Sequence, residues 1–497
     1  MLVFDISDRK APKQLRKVSL SGSLIAARRI GGAVHTVVYD NVVAFPELQY
    51  YPQSNLCDYV SIPGLSQPPI WAVQKARAAY EKLRDENRQI ILTKDLSKVL
   101  PSAVDSLGGG SLDTNALCAG LYRSPLLDGS SFTTLLSFDM TKQEPLHSAS
   151  VLSRPGAVYA SGESLYMAVR QQPSFCYGWY DGYEQEDELS SIHKFRISDQ
   201  PSTTSYVGSG LVKGHALNQF AMDEKDGNLR IATSTGHVPD PNVISQVTVL
   251  GEAGGALQQL GFVGGIGPKE DIRSVRFEGD RGFVVTFKKT DPLFVLDLAD
   301  PHKPSILGEL KIPGFSTYMH MLDATHLLAI GYDADDHDTF AYFDGVLIQI
   351  FDVTDPKTPT LLHKHIIGSR GTSSEALMNH LAFTYFDAKK ILALPMTVCE
   401  GGNDGTYGDQ LTFSGLMLFD VDLTTGINER GRVEHPKPSM DSGYGYNYSC
   451  YNWWTQAHSE VQRSIFFDDY VYSISDADLK VQNIDALGAD LVSLPLK

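Results

Sequence analysis

The sequence predicts an all-β fold: a single closed β-propeller of four-stranded antiparallel blades, with a helical insert in the first blade. Three observations carry this expectation. A strand, Asp/Pro turn, strand motif recurs four times; seven further strand pairs are interleaved with it; and the units repeat at roughly 40 to 55 residues, the period of propeller blades.

The recurring motif reads FDISDRKAPKQL from Phe4, SFDMTKQEPLHS from Ser137, LDLADPHKPSIL from Leu296 and FDVTDPKTPTLL from Phe351. In each, an alternating apolar strand ends in Asp, and a second strand begins just after a Pro, the chemistry of a tight antiparallel hairpin. These are the outer strand pairs of a repeating unit. The inner pairs are LIAARRIGGAVHTVVYD, GAVYASGESLYMAVR, NQFAMDEKDGNLRIATS, RSVRFEGDRGFVVTF, TYMHMLDATHLLAIGYD, LAFTYFDAKKILALPM and RSIFFDDYVYSISD. Counting inner pairs predicts seven blades. Counting outer pairs adds an eighth, built on the pair at residues 1–22, whose inner strands would lie upstream of Met1. Residues 1–497 therefore read as one domain, and the competing arrangement, an array of β-sandwiches, lacks the linkers it would need.

A formal net charge of −17 over 497 residues repels phosphate backbones and excludes nucleic acid as a natural partner. No run approaches the roughly 20 apolar residues of a spanning helix, so no integral membrane span is expected. The first residues carry no export signal and run straight into a strand, which reads as the interior of a longer sequence.

Several segments depart from the repeat. An insert at about residues 44–130 interrupts the first blade, and Ile70 to about Leu100 is helical in pattern, with Ala72, Ala76, Ala79, Tyr80, Leu83 and Ile90 on one stripe. It reads as a helix packed on the rim, or more sharply as a lid or docking surface. Two aromatic loops offer stacking faces for a sugar or a protein: Trp179, Tyr180 and Tyr183 in one, Tyr446, Tyr448, Trp453 and Trp454 in the other. Their plainer reading is that they cover the ends of the blade core. Asp333, Asp335, Asp336 and Asp338 have the density of a Ca2+ loop. The EF-hand spacing fails there, and a solvated acidic loop is the first reading.

Five cysteines, Cys57, Cys118, Cys176, Cys399 and Cys450, show no CxxC pair and all read as lying in irregular segments. A Cys399–Cys450 bridge with one odd thiol is one reading, and five free thiols in a reducing compartment the other. Among strand histidines, His320, His380 and His458 are the candidates to converge on a central channel. No GxSxG, HExxH, P-loop or Rossmann fingerprint accompanies them.

The run from Arg273 to His320, together with LNQFAMDEKDGNLRIATS, SEALMNHLAFTYFDAKKILALPM and VQRSIFFDDYVYSISDADLKVQNID, resembles a bacterial and archaeal family of secreted proteins with a C-terminal β-propeller domain, distantly related to WD-type repeats. The resemblance extends over essentially the whole chain. It implies an extracellular or cell-envelope location and sequence upstream of Met1, and brings no established activity. The function expected is a non-enzymatic binding or scaffolding module that presents loops to a protein or glycan. The alternatives are a hydrolase or lyase with a metal or histidine site in the channel, and a self-associating subunit of a surface layer or filament.

Overall fold

The structure is a computed structural model that describes residues 1–40, 45, 47–53, 68–95, 100–107, 110–111, 120–126, 128–129, 131–171, 188–238, 240–287, 291–312, 314–337, 340–402, 406–437, 450–451 and 459–496. Its strands form eight separate sheets, and no strand pairing among the described residues joins one sheet to the next. Six are simple four-stranded meanders: blade 3 (157–213), blade 4 (222–266), blade 5 (271–312), blade 6 (315–367), blade 7 (384–434) and blade 8 (461–495). Blade 2 joins Ser23–Ile30 and Ala33–Asp40 to Phe132–Asp139 and His147–Leu152, across the insert, with Leu121–Tyr122 as a parallel fifth strand.

Blade 1 corrects the count of seven to eight. The hairpin of Leu2–Asp5 and Lys13–Leu20 is extended by strands from the insert, Ala103–Asp105 and Gly110–Ser111, with Val18 opposite Asp105 and Leu20 opposite Ala103. Nothing in the hydrophobic pattern marks so short a strand, because three residues show no period. The helix of the insert, α1 (Ile70–Thr93), ends about seven residues earlier than its pattern suggests. Of its expected apolar stripe only Ala72 and Leu83 are buried, and Tyr80 is exposed. No helix among the described residues is long and apolar enough to cross a membrane.

The Asp-ended strands have a single physical cause. Asp5, Asp139, Asp297 and Asp352 each accept a hydrogen bond on Oδ1 from the backbone N–H two residues on, at 2.8–3.0 Å. This Asx turn ends the strand and starts the hairpin. Asp422 does the same at a site the motif does not flag, donating partner Thr424 N–H at 2.8 Å. The interactions hold the carboxyls of Asp5, Asp139, Asp352 and Asp422 below the usual aspartate range, through the side-chain or backbone groups of Ser7, Thr141, Thr354 and Thr425.

The described part of the acidic run is strand rather than loop. Asp333, Asp335 and Asp336 lie on the strand His326–His337, paired to Phe340–Asp352 in a long hairpin, and Asp338 falls outside the described residues. Asp333 accepts from Lys364 Nζ at 2.7 Å.

The chain divides into two compact units, Met1–Val169 with Ser191–Ser209, and Arg170–Ser190 with Gly210–Lys497. In the second, both faces of each sheet are apolar, as blade 5 shows. Phe283, Val285, Leu293 and Val295 pack against Met319, Leu327 and Phe351 of blade 6, while Val284, Phe294 and Leu296 pack against Ala232, Val247 and Ile266 of blade 4. Alternate residues of one strand thus serve opposite neighbours. In the first unit, Val18 and Ala103 of blade 1 meet Leu136 and Phe138 of blade 2.

Arginines tie neighbouring blades at their turns. Arg230 Nη1 donates to Gly279 O at 2.7 Å, Arg281 Nη1 to Val353 O at 2.8 Å and Arg430 Nε to Ile484 O at 2.9 Å. Arg16 is the most buried of the set, 2% exposed: it forks onto Asp105 at 3.1 and 2.6 Å and donates to the carbonyls of Asp139 and Glu144. One guanidinium therefore holds the insert strand to the hairpin and the hairpin to blade 2. Arg16→Ala leaves Asp105 buried and unpaired, so equilibrium unfolding in urea should show a loss of about 3–5 kcal/mol, and the double replacement of Arg16 and Asp105 by Leu a smaller one.

Candidate functional site

In an antiparallel blade, the end of the second strand, the start of the third and the end of the fourth lie at one edge. The second unit gathers titratable side chains at that edge. Glu188 stands just before the third strand of blade 3, and its buried carboxylate accepts from Arg170 Nε at 2.5 Å, His215 Nδ1 at 2.8 Å and the N–H of Gly236 at 2.7 Å. Asp271, at the start of blade 5, accepts from His237 Nδ1 at 3.1 Å and from the N–H of Val238 at 2.9 Å, with Arg273 at 3.4 Å. The two imidazoles stand edge-on to each other with ring centres 6.0 Å apart.

Local backbone explains why the histidines sit where they do. His215 and Ser234 exchange backbone hydrogen bonds at 2.9 and 3.0 Å, which brings the connection after blade 3 onto blade 4. Gly214 makes the approach possible: its φ is +83°, and a Cβ there would lie 2.5 Å from Ser234 O. Gly236, at φ +72°, turns its N–H onto Glu188. Burial pushes the Glu188 carboxyl up, but the hydrogen bond and charge of His215, helped by Gly236 and Arg170, outweigh it and hold it below the usual glutamate range.

The same connection reaches a second group. Gln219 Nε2 donates to His380 Nε2 at 2.9 Å, and Phe220 packs edge-on against His380 and Tyr318, with ring centres 4.9 and 5.1 Å away. Phe383 continues the group, 4.8 Å from Tyr318 and 5.4 Å from His320, which also meets Tyr385 at 5.4 Å. All six rings are half-buried, and they come from the first strands of blades 6 and 7 and the connections before blades 4 and 7. Burial and then the charge of Arg276 lower the His320 pKa, and burial raises those of Tyr318 and Tyr385. Leu217, Met378 and Leu381, neighbours in sequence of these residues, are exposed.

Of the three histidines assigned to a channel, His320 and His380 thus share one aromatic group. His458 lies outside the described residues, as do Trp179, Tyr180, Tyr183, Tyr446, Tyr448, Trp453 and Trp454. Cys399 and Cys450 are joined in a disulfide across 51 residues of sequence. Cys399 is no loop residue: it lies in the strand Ile391–Glu400, and both cysteines are fully buried. Cys57, Cys118 and Cys176 are outside the described residues. Neither Glu188 nor Asp271 nor His237 stands out in the sequence, yet a signal exists. Both histidines of the pair follow a glycine, in VKGH and STGH, at either side of one inner hairpin.

Other histidines make networks without access. His435 Nδ1 meets Asp478 Oδ1 at 2.9 Å and Nε2 meets Ser473 Oγ at 2.7 Å, the connectivity of a serine-hydrolase triad. Ser473 is 0% exposed, so no substrate reaches its hydroxyl, and the triad is a buried brace within blades 7 and 8. His193, between Asp128 at 2.6 Å and Tyr206 at 3.0 Å, and His35, between Ser137 at 2.7 Å and Ser198 O at 2.8 Å, are braces of the same kind.

A family profile described as a beta propeller domain matches residues 1–487. The chain belongs to that family. Among curated relatives, an uncharacterised protein of Archaeoglobus fulgidus is 38% identical over 213 residues, 43% of this chain and 30% of that protein. A second, MJ1554 of Methanocaldococcus jannaschii, is 37% identical over 211 residues, 42% of this chain and 31% of that one. The matched stretch thus spans about a third of each relative's length. Among solved structures, a periplasmic gluconolactonase of Pseudomonas aeruginosa aligns with TM-score 0.40 and 13% identity over 73% of this propeller and 93% of its own chain. Sqt1 of Saccharomyces cerevisiae aligns with TM-score 0.40 and 9% identity over 76% and 84%. Likenesses at these values say nothing about what this propeller binds or does.

Two outcomes follow from the histidines. A fluorophosphonate probe should leave Ser473 unlabelled in the folded protein, read by peptide mass spectrometry. Burial lowers the pKa values of His35, His320, His365 and His435 below the ordinary 6.5. The unfolded chain therefore binds more protons than the folded one just below that value, and stability rises with pH there. The stabilisation is complete above about 6.5 and is lost as the pH falls from 6.5 toward the lowered values. Thermal unfolding midpoints should drop over that interval, and the drop should shrink in His435→Gln.

Proposed function

We infer that this propeller is a binding module, acting in the cell envelope or extracellular space, that takes up a glycan or a protein surface at the blade edge of its second unit. The observation that carries the reading is the half-buried group of Phe220, Tyr318, His320, His380, Phe383 and Tyr385. Aromatic faces rimmed by imidazole and phenol groups suit sugar rings, which stack their apolar faces and hydrogen-bond at their edges. The exposed Leu217, Met378 and Leu381 suit the apolar centre of a protein contact. The Cys399–Cys450 disulfide agrees with an oxidising compartment. Rigid blades with variable connections are a common support for binding.

A second reading, an acid–base hydrolase or lyase, is favoured by the adjacent Glu188–His215 and Asp271–His237 pairs. A carboxylate that orients an imidazole is the arrangement of a general acid or base. Glycan-array binding by the purified protein discriminates the two. The binding reading expects retention of a defined set of glycans, weakened at least about tenfold by Phe383→Ala or Tyr318→Ala and unchanged by His237→Ala. Retention equal in wild type and both aromatic variants would remove it.

A further inference from the structure

Arg276 differs from the arginines that tie the blades. Arg230, Arg281 and Arg430 each donate to a carbonyl of the next blade. The Nε of Arg276 is instead buried without a hydrogen-bond partner, and its Nη2 only approaches Glu278, at 3.6 Å, beyond hydrogen-bonding distance. The Glu278 side chain is half exposed, so the pair adds little to stability. A half-buried guanidinium with unused donors is costly, and a ligand that supplies an anionic acceptor recovers part of that cost.

Register decides where this cation stands. Arg276 lies opposite Phe283 in the pairing of the first two strands of blade 5, and paired side chains share a face. Phe283 packs toward blade 6, so Arg276 is on the blade 6 side as well. Its strand, Asp271–Glu278, touches both the strand Phe315–Met321, which carries Tyr318 and His320, and the turn Gln219–Ala221, which carries Phe220. After burial, the charge of Arg276 is the next influence on the pKa of both Tyr318 and His320. Tyr318, His320 and Tyr385 are held by ring contacts, and no protein hydrogen bond occupies their polar atoms among the described residues. The carboxylates whose charge reaches this group are engaged elsewhere. Asp387 pairs with Lys390 at 2.6 Å, and Asp323 accepts from the N–H groups of Thr325 and His326 at 2.7 and 2.9 Å.

We propose that the aromatic group takes an acidic sugar, a hexuronic acid residue of a glycan, with its carboxylate on the Nη atoms of Arg276 and its ring against Tyr318 and Phe383. The proposal rests on the binding reading above and names its ligand class. A guanidinium matches the planar carboxylate with two parallel hydrogen bonds, and the aromatic faces take the apolar side of the sugar. A neutral sugar would leave the cation unanswered. A single guanidinium in a chain of net charge −17 suits one carboxylate better than a run of sulfates, which calls for a basic patch.

On an array of neutral, uronic-acid-bearing and sulfated glycans, the purified protein should retain the uronic-acid members. The net negative charge repels polyanions in general, so such retention reports a local site. Reducing the carboxyl of a retained glycan to the alcohol should abolish its retention. Arg276→Gln should weaken retention roughly ten- to a hundredfold, and Arg276→Lys less, because it keeps the charge and loses the fork. Added sodium chloride should weaken wild-type binding more than the residual binding of Arg276→Gln. Unfolding midpoints show whether each variant is folded, and Arg276→Lys keeps the test open if Arg276→Gln is not. Retention of neutral or sulfated glycans alone, or wild-type retention by folded Arg276→Gln, overturns the acidic-sugar proposal; weakening by Phe383→Ala in the same assay leaves the binding reading standing. Retention equal in wild type, Phe383→Ala and Tyr318→Ala removes both.

Discussion

A four-stranded sheet with two apolar faces cannot remain alone in water, and every other feature of the second unit follows from that constraint. Residues 283–285 of blade 5 face alternately toward blade 6 and blade 4, so each strand is committed on both sides. Each large side chain so buried contributes about 1.5–3 kcal/mol. Phe287, Phe315, Ile348, Leu394 and Phe419 continue the same layer through blades 5, 6 and 7. Face-to-face packing leaves the backbone edges and turns to be managed by polar groups. The arginine ties from Arg230, Arg281 and Arg430 satisfy carbonyls of the next blade, where an unpaired buried carbonyl would be costly.

The polar chemistry of the molecule divides by access rather than by residue type. His435, His193 and His35 have the hydrogen-bond partners of reactive groups but are enclosed, and both ring nitrogens are occupied. They brace connections against strands, the service that a buried, fully satisfied network can render. His215 and His237 are held through Nδ1 by Glu188 and Asp271 and are less enclosed, the His237 side chain 47% exposed.

The connection at residues 214–221 links the two halves of the site. Its first residues join the carboxylate-held imidazoles, and its short 3₁₀ turn at Gln219–Ala221 carries Gln219 and Phe220 to His380. Asn218 caps that turn by accepting from the Phe220 N–H at 2.9 Å.

The architecture was legible because its signals are local. Period-2 alternation, Asp-ended strands and Pro after the turn report on residues within hydrogen-bonding reach along the chain, and the Asx turns at Asp5, Asp139, Asp297 and Asp352 are their direct cause. Only the tertiary structure decided the rest. Ala103–Asp105 pairs with a hairpin some 85 residues earlier, the acidic run at Asp333 is strand because Phe340–Asp352 lies beside it, and Glu188, His215 and His237 come from three separate connections and Asp271 from the start of a strand. The sequence alone determined which residues alternate and where strands stop, because a strand's period is a property of the backbone. Which side chains meet across a blade edge depends on the register and stacking of whole sheets, and no local pattern encodes that.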